Sequence, residues 1–441
     1  MQERRVVTLF LERGGKIALF RRSNLVATYA GKYGAISGAI EDNVSPLEQA
    51  KRELLEETGL LESVTFLGEG EPIRVEAPEY DAIFVVHPFL VHMEFGEIKL
   101  NFEHDQVVWA TPAELRSMDT VPELSRTFDA VASREGLNRT MDRLKLEIAS
   151  DRISGSLGLA ARGVNVLAIG ELSHTWYGEG MDASFFEHAE EVANLRGGME
   201  VIRNAAAHAA LEVQRGGDDP VSDRLFRLGH EIVAQRAQVA KQAAAWLQER
   251  NVKRIFTLSW STTVHETLLA IGPDSVEVNI IKSSPGGEGV QHAEKLAREG
   301  FKVTLFPDSS LHVAIKNSDV VLLGADAVLT TGSFVNKTGS FLACSLAERM
   351  QVPSLVVTET MKFCPSSVWQ RETAPWRPSL YQGANLSVWS EPFEEVPGEL
   401  VHRFVTEKGV LVSEEAQALC LGVQDELKRY GLMNSFFSVP R

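Results

Sequence analysis

The sequence predicts a multi-domain α/β chain: an N-terminal mixed sheet with helices, a helical middle, and a doubly wound parallel sheet in the C-terminal half. Three observations carry this reading. At 441 residues the chain exceeds what one hydrophobic core sustains, so two or three domains are expected. The first third holds strand-like runs around one well-marked helix, at 45–58. After Asn251, short and nearly continuous apolar runs alternate with helical stretches, the pattern of strands buried on both faces.

Residues 5–11 alternate toward a strand, Glu12-Arg13-Gly14-Gly15 form a hairpin turn, and 16–20 return as a second strand. Arg21 and Arg22 at the strand end either meet substrate phosphates or are simply solvated. Ser45 and Pro46 start the helix, a hydroxyl cap followed by proline at the first helical position, and Gly59 stops it. Leu47, Ala50, Leu54 and Leu55 supply its apolar face. Glu53, Glu56 and Glu57 stand at i, i+3 and i+4 and so project from one side. Three carboxylates that close repel one another unless a cation sits among them, and hard oxygen donors suit Mg2+ or Mn2+. A solvated acidic face is the plainer alternative; the ordered set of Gly38, cap, Arg52-Glu53, Glu56-Glu57 and Gly59 favours a metal site.

Residues 63–67, 72–75, 82–92 and 99–102 read as further strands, and 107–109 lead into Thr111-Pro112, another capped helix start. Glu103 is a candidate carboxylate for the metal or its water, with an equal claim as a surface turn residue. Residues 122–149 read as helix and connector, and 141–250 as alanine-rich helices broken by a loop at 215–220. The chain thus divides into a first domain at 1–120, a helical connector at 121–140, a helical part at 141–250 and a parallel-sheet part at 251–441.

Strands are expected at 254–258, 276–281, 302–306, 320–323 and 354–357, with helices at 263–270, 290–299, 311–316 and 338–349 between them. Ligands of such sheets bind beyond the carboxyl ends of the strands. Three clusters stand there. Ser259 and Ser261 lie in a hydroxyl-rich turn that opens a helix and can cradle phosphate. Glu288 and Gly289 end a glycine-rich loop. Asp326 directly follows an apolar strand as a candidate acid or base, and Asn336 and Lys337 precede a helix, Lys337 as a point charge for phosphate. Each cluster alone also reads as ordinary turn and cap chemistry.

Composition, at 44% hydrophobic and 24% charged, is that of a soluble globular protein, and no run is long and apolar enough to span a bilayer. The N-terminus lacks the features of a signal peptide. Cys344, Cys364 and Cys420 have no CxxC spacing, which argues against a disulfide framework or a structural zinc site and fits a reducing cytoplasm. The net charge of −16 disfavours an extensive nucleic-acid surface and leaves room for a local basic pocket.

The stretch 38–60 resembles the Nudix box, Gly-x5-Glu-x7-Arg-Glu-apolar-x-Glu-Glu-x-Gly-apolar. Arg52, Glu53, Leu54, Glu56, Glu57, Gly59 and Leu60 fit its second half in full. The early family glutamate falls on Val44, which removes a hydrogen-bond or salt-bridge partner, and the glycines usual at Ser37 and Asn43 are absent. The resemblance implies an α/β/α sandwich that hydrolyses a nucleoside diphosphate linked to a further group. Glu53, Glu56 and Glu57, with Glu103 added, would hold Mg2+ or Mn2+ against the diphosphate while water attacks phosphorus, and Arg52 would orient a glutamate.

From about residue 142 the chain resembles the family of the alpha, beta and delta subunits of translation initiation factor 2B. Its enzyme members are ribose-1,5-bisphosphate isomerase and methylthioribose-1-phosphate isomerase. Gly324-Ala325-Asp326-Ala327 and Asn336-Lys337-Thr338-Gly339-Ser340 carry the likeness most specifically, with Asp308-Ser309-Ser310, Val352-Pro353, Lys362 and Ile153-Ser154-Gly155-Ser156 in agreement. Arg196 and Asn204 match residues flanking the family's sugar-phosphate pocket. The resemblance implies a Rossmann-like domain that binds a phosphorylated sugar or nucleotide through Arg196, Ser259, Ser261, Glu288, Gly289, Asn336 and Lys337. It also implies a homo-oligomer formed through the C-terminal domain. In the isomerases a cysteine and an aspartate carry the chemistry. Asp326 fits the aspartate, whereas the cysteine falls on Ser259, whose hydroxyl cannot serve as a thiolate. Ser154 and Ser284 also replace arginines. The second domain is therefore expected to bind more than it catalyses, the alternatives being a bifunctional protein that isomerises an aldose phosphate and a wholly regulatory protein.

Overall fold

The computed structural model describes residues 2–61, 63–151, 155–177, 179–284, 286–369 and 391–437. The chain forms two compact units that alternate along the sequence. The first comprises Met1–Arg152, Arg162–Val192 and Glu212–His230, the second Ile153–Ala161, Ala193–Leu211 and Glu231–Arg441.

In the first unit, β1 (Gln2–Arg13), β2 (Lys16–Arg22), β3 (Tyr33–Gly34), β4 (Ile36–Ala39), β5 (Val64–Glu69), β6 (Ile73–Ala77), β7 (Ala82–Met93) and β8 (His104–Ala110) build one mixed sheet. β1 runs parallel to β7, from Gln2 opposite Ala82 to Glu12 opposite His92, and antiparallel to β2 and β4. Consecutive residues Leu9, Phe10 and Leu11 are all buried, so both faces of β1 are covered. The β1–β2 hairpin turns at Gly14 and Gly15, both at positive φ.

Helix α1 (Pro46–Thr58) packs Ala50 and Leu54 against Val7, Leu9 and Ile36. Ser45 and Glu48 close a capping box at its start, and the Gly59 N–H reaches the Leu55 carbonyl with φ 72. Its buried face shares Ala50 and Leu54 with the expected one and differs at the remaining positions. Leu47 and Leu55 are 40% and 48% exposed, while Gln49, Glu57 and Thr58 point inward. The helix is turned so that a carboxylate, Glu57, enters the sheet side together with Leu54. A second departure is at 99–102, which forms no strand; the chain turns there, and pairing to β2 begins at His104. After α2 (Pro112–Leu115), capped by Thr111 and Glu114, come α3 (Leu124–Ala132) and α4 (Arg134–Ser150). Helices α5 (Ser156–Trp176), α6 (Phe185–Asn194), α7 (Glu200–Arg215) and α8 (Val221–Glu249) follow; the alternation of the units falls within them.

The second unit holds β9 (Arg254–Thr257), β10 (Glu277–Ile281), β11 (Lys302–Phe306), β12 (Val320–Gly324), β13 (Ala327–Val328), β14 (Phe334–Lys337), β15 (Ser354–Val357), β16 (Phe393–Val396), β17 (Arg403–Thr406) and β18 (Gly409–Leu411). Its main sheet has the order β11-β10-β9-β12-β15-β17-β18, parallel up to β17 and antiparallel at β18. Helices α9 (Thr262–Ile271), α10 (Glu288–Arg298), α11 (Leu311–Lys316), α12 (Ser340–Met350), α13 (Ser413–Arg429) and α14 (Met433–Phe437) complete it. Along β12, Val321 and Leu323 join one apolar core with Phe256 and Val356, while Val320 and Leu322 join another with Ile255 and Leu355. That is the two-sided burial the apolar runs predicted. Strand order reverses at β9, with β10 and β11 to one side and β12 to the other, so a crevice is expected beyond the ends of β9 and β12. A small antiparallel sheet, β13-β14-β16, stands after β12. Among the described residues no helix is long and apolar enough to cross a membrane. The three cysteines are buried and unbridged.

Candidate functional site

Helix α1 presents its three carboxylates at three depths: Glu57 buried, Glu53 half-buried and Glu56 exposed. Glu57 Oε1 accepts the Ser37 N–H at 3.1 Å. Its Oε2 is buried without a hydrogen bond, 3.3 Å from Nδ1 of His104, whose two ring nitrogens are likewise unbonded. Glu53 Oε1 accepts from Gln49 Nε2 at 2.8 Å and lies directly over Gly38, where a Cβ would come within 1.7 Å of it. Gly38 is required for room. Burial, with Glu103 and Glu53 adding repulsion, pushes Glu57 up to about 9. Burial also raises Glu53, and Glu56, Glu103 and Glu41 repel it further. Burial and the nearby Arg22 charge lower His104 to about 4. Carboxyl groups are thus gathered here, with the Arg22 charge offsetting them only in part.

Those residues fit a divalent ion. Glu57 Oε2 is an orphaned buried oxygen, and Gly38 leaves the cradle open. Glu53, Glu56 and Glu57, with Glu103 on the turn before β8, are the side chains that would hold it. Arg52 pairs with Glu41 at 2.8 Å, so the carboxylate missing at Val44 is supplied three residues earlier in the chain. Glu41 and His104 escaped sequence reasoning, because neither falls at a motif position.

A cleft of about 230 Å³ borders Ser37 and Gly38, walled by Val75, Phe84 and Val86, with Arg22 and Tyr29 also lining it. The two arginines separate here. Arg21 is ion-paired with Asp105 at 2.6 Å, whereas Arg22 faces the cleft and donates to the Thr28 carbonyl at 2.9 Å. Tyr29 donates its hydroxyl to Glu79 and its N–H to the Tyr80 hydroxyl, joining the loop after Arg22 to the turn after β6.

In the second unit several strand-end residues are linked in pairs by hydrogen bonds and ion pairs. Ser259 follows β9 at φ 58 and donates its N–H to Ser283 Oγ at 2.7 Å. Its carbonyl accepts from His292 Nδ1 at 3.1 Å. Ser261 caps α9, and Gly324 makes room for it, since a Cβ there would lie 2.4 Å from Ser261 Oγ. Gly289 lets α10 approach β10, where a Cβ would meet the Ile281 carbonyl at 2.0 Å. The Asp326 N–H donates to the Val335 carbonyl. Burial raises the Asp326 carboxyl, opposed by the charges of Lys362 and Lys337. Lys337 pairs with Glu288 at 2.6 Å, and Lys362 with Glu359 at 3.0 Å. Glu359 in turn accepts from Thr263 Oγ1 at 2.6 Å. Asn336 donates to Ser340 Oγ, and Asn204 to the Met361 carbonyl. Arg196 stands half-buried between α6 and α7. The N–H groups of Ser283 and Ser284 are held by the Asp308 carboxylate at 2.8 and 3.0 Å. Ser154 lies outside the described residues. Asp326 thus feels two lysine charges, each lysine being paired with a glutamate of its own.

Two family models match the chain: NUDIX domain at residues 1–131, and Initiation factor 2 subunit family at residues 183–413. A Pyrococcus furiosus protein named as like subunit 2 of translation initiation factor 2B is 25% identical over 273 residues, covering 60% of this chain and 94% of that one. Ribose 1,5-bisphosphate isomerase of Methanocaldococcus jannaschii is 28% identical over 148 residues, 32% of this chain and 48% of that enzyme. A solved tetrameric complex of the beta and delta subunits of initiation factor 2B from C. thermophilum matches with a TM-score of 0.50 at 16% identity. That match covers 67% of this chain and 98% of the other, a likeness of fold.

Proposed function

The chain belongs to the initiation factor 2 subunit family and carries a NUDIX domain ahead of that part, and from this premise we propose a metal-dependent Nudix-type hydrolase joined to a domain that binds a phosphorylated sugar or nucleotide. Its substrate is a nucleoside diphosphate linked to a second group. The observation that supports hydrolysis is the carboxylate cluster at Gly38, where Glu53 and the orphaned Glu57 Oε2 lie next to a cleft. Mg2+ or Mn2+, when bound, supplies charge neutralisation and an activated water. Glu53, Glu56, Glu57 and Glu103 hold the ion, and the pairing of Arg52 with Glu41 fixes the exposed side of α1. The apolar wall of Val75, Phe84 and Val86 takes the nucleoside or its attached group, and Arg22 lies on the same cleft for phosphate oxygens.

In the second domain Ser259 in place of a thiol supports binding over isomerisation. Asp326, under the charges of Lys337 and Lys362, favours an isomerase, because a carboxyl raised by burial can pass a proton. A cytoplasmic homo-oligomer assembled through the C-terminal domain completes the proposal.

The test is product release from nucleotide sugars, ADP-ribose and dinucleotides with Mg2+, against Glu56→Gln. Wild-type release at least about a hundredfold above that variant is expected for loss of a metal ligand; equal rates would remove the hydrolase. Conversion of ribose 1,5-bisphosphate by wild type and by Asp326→Asn decides the second reading. Turnover that depends on Asp326 would make the protein bifunctional.

A further inference from the structure

Among the described residues one group of three ligand-type side chains has its donor atoms gathered closely enough to hold a metal ion. One ligand atom each of Glu12, His92 and Asp223 lies within 4.8 Å of the others. Glu12 and His92 face one another in register at the ends of β1 and β7, and Asp223 comes from the first turn of α8, all within the first unit. Glu12 is fully buried and His92 is 3% exposed. The glycine hairpin fixes one oxygen of each carboxylate. The Gly15 N–H donates to Glu12 Oε1 at 2.9 Å, and the Gly14 N–H to Asp223 Oδ1 at 3.3 Å. His92 Nδ1 donates to Glu12 Oε2 at 2.7 Å, and its ring stacks on Phe226 with centroids 4.1 Å apart.

Charge is unbalanced here. Two carboxylates face one imidazole, so even a protonated His92 leaves a negative charge at a largely buried site, which costs stability unless compensated. We infer that Glu12, His92 and Asp223 form a second divalent-metal site, of the Zn2+ class, that ties the start of α8 to the ends of β1 and β7. One imidazole and two carboxylates are donors of the type Zn2+ takes, and three protein ligands leave a fourth position for water. The Gly14 and Gly15 N–H groups are the outer hydrogen bonds that orient ligating carboxylates. The metal displaces the proton shared by Glu12 and His92, which leaves to solvent. The cysteine spacing bears only on thiolate sites.

The full-length protein with Glu53, Glu56 and Glu57 all changed to Gln keeps this group and loses the α1 carboxylates, so it separates the two sites. After chelator treatment it is titrated with Zn2+, with Co2+ as the spectroscopic probe, and retained metal is counted after desalting. About one equivalent of Zn2+ is expected, with Co2+ absorption bands of a low-coordinate site. Asp223→Asn and His92→Gln, added singly, are expected to weaken binding by about tenfold or more. Asp223 is only half-buried, so its variant decides the matter if His92→Gln does not fold; circular dichroism of the metal-free proteins monitors this. No retained Zn2+, or the same affinity in a folded Asp223→Asn protein, would overturn the site. Loss of the hydrolase reading would leave this outcome unchanged.

Discussion

At Gly38 the missing side chain gives Glu53 its place, because a methyl group there would sit 1.7 Å from the carboxylate. Gly38→Ala must therefore move Glu53. Mn2+ affinity, read by electron paramagnetic resonance, is expected to fall about tenfold or more, since ligand orientation governs affinity. Unchanged Mn2+ binding would mean that Glu53 is not a ligand. Glu171 gives a prediction in pH. It is 3% exposed, and burial pushes it up to about 7 from 4.5. The folded state then holds this proton more tightly than the unfolded state. Stability from this group is full below about pH 4.5 and is lost as the pH rises through 7. Glu171→Gln removes that loss, so its urea midpoint should exceed wild type at pH 8 and match it near pH 4, by at most about 3 kcal/mol. The motif glutamates were legible because their spacing is helical. Glu41 and His104 were not, since an ion pair across eleven residues and a histidine beneath the helix follow from the folded backbone, not from the pattern of residues.

Helix α1 shows what periodicity settles and what it leaves open. Its caps were readable at both ends, and the structure places the capping box and the Gly59 stop at those positions. Its buried face was only half readable: Ala50 and Leu54 are buried as the apolar pattern indicates, but that pattern did not separate them from Leu47 and Leu55. Glu57 enters the sheet side, while Leu47 and Leu55 stay exposed. Ser45→Ala deletes an N-cap and should lower stability by about 1 kcal/mol in a thermal melt, without changing metal stoichiometry. A larger loss together with lost metal would mean that the cap also positions the carboxylates. Short strands were the other omission. β3 and β4 are too brief to show alternation, yet β4 carries Gly38. In the parallel sheet, by contrast, each apolar run had the length of one strand. The turn after β9 adds a test: Ser259 sits at φ 58, a conformation glycine adopts freely. Ser259→Gly should hold or raise stability by up to about 1 kcal/mol, whereas Ser259→Val should lower it. The reverse order would show that the hydroxyl, not the backbone, matters there.

With a net charge of −16, a phosphorylated ligand needs a local cation, and near Asp326 Lys337 and Lys362 are each paired with a glutamate, Glu288 and Glu359, that the ligand would have to displace. Saturating ribose 1,5-bisphosphate or a nucleotide at a hundred times its dissociation constant should stabilise the protein by about 2.7 kcal/mol. Lys337→Ala should abolish the shift, and a shift that survives it would place the ligand elsewhere. The chain passes between its two units five times, after residues 152, 161, 192, 211 and 230. A shortened chain ending at residue 152 would lack Leu167, Leu172, Phe185 and Phe226, all buried in the intact protein. It should expose apolar surface and bind a hydrophobic dye, whereas a dye-free, sharply melting fragment would contradict this. For the gene, the consequence is that neither half is a portable cassette. A stop codon after residue 152 also takes away two later segments of the first unit, 162–192 and 212–230.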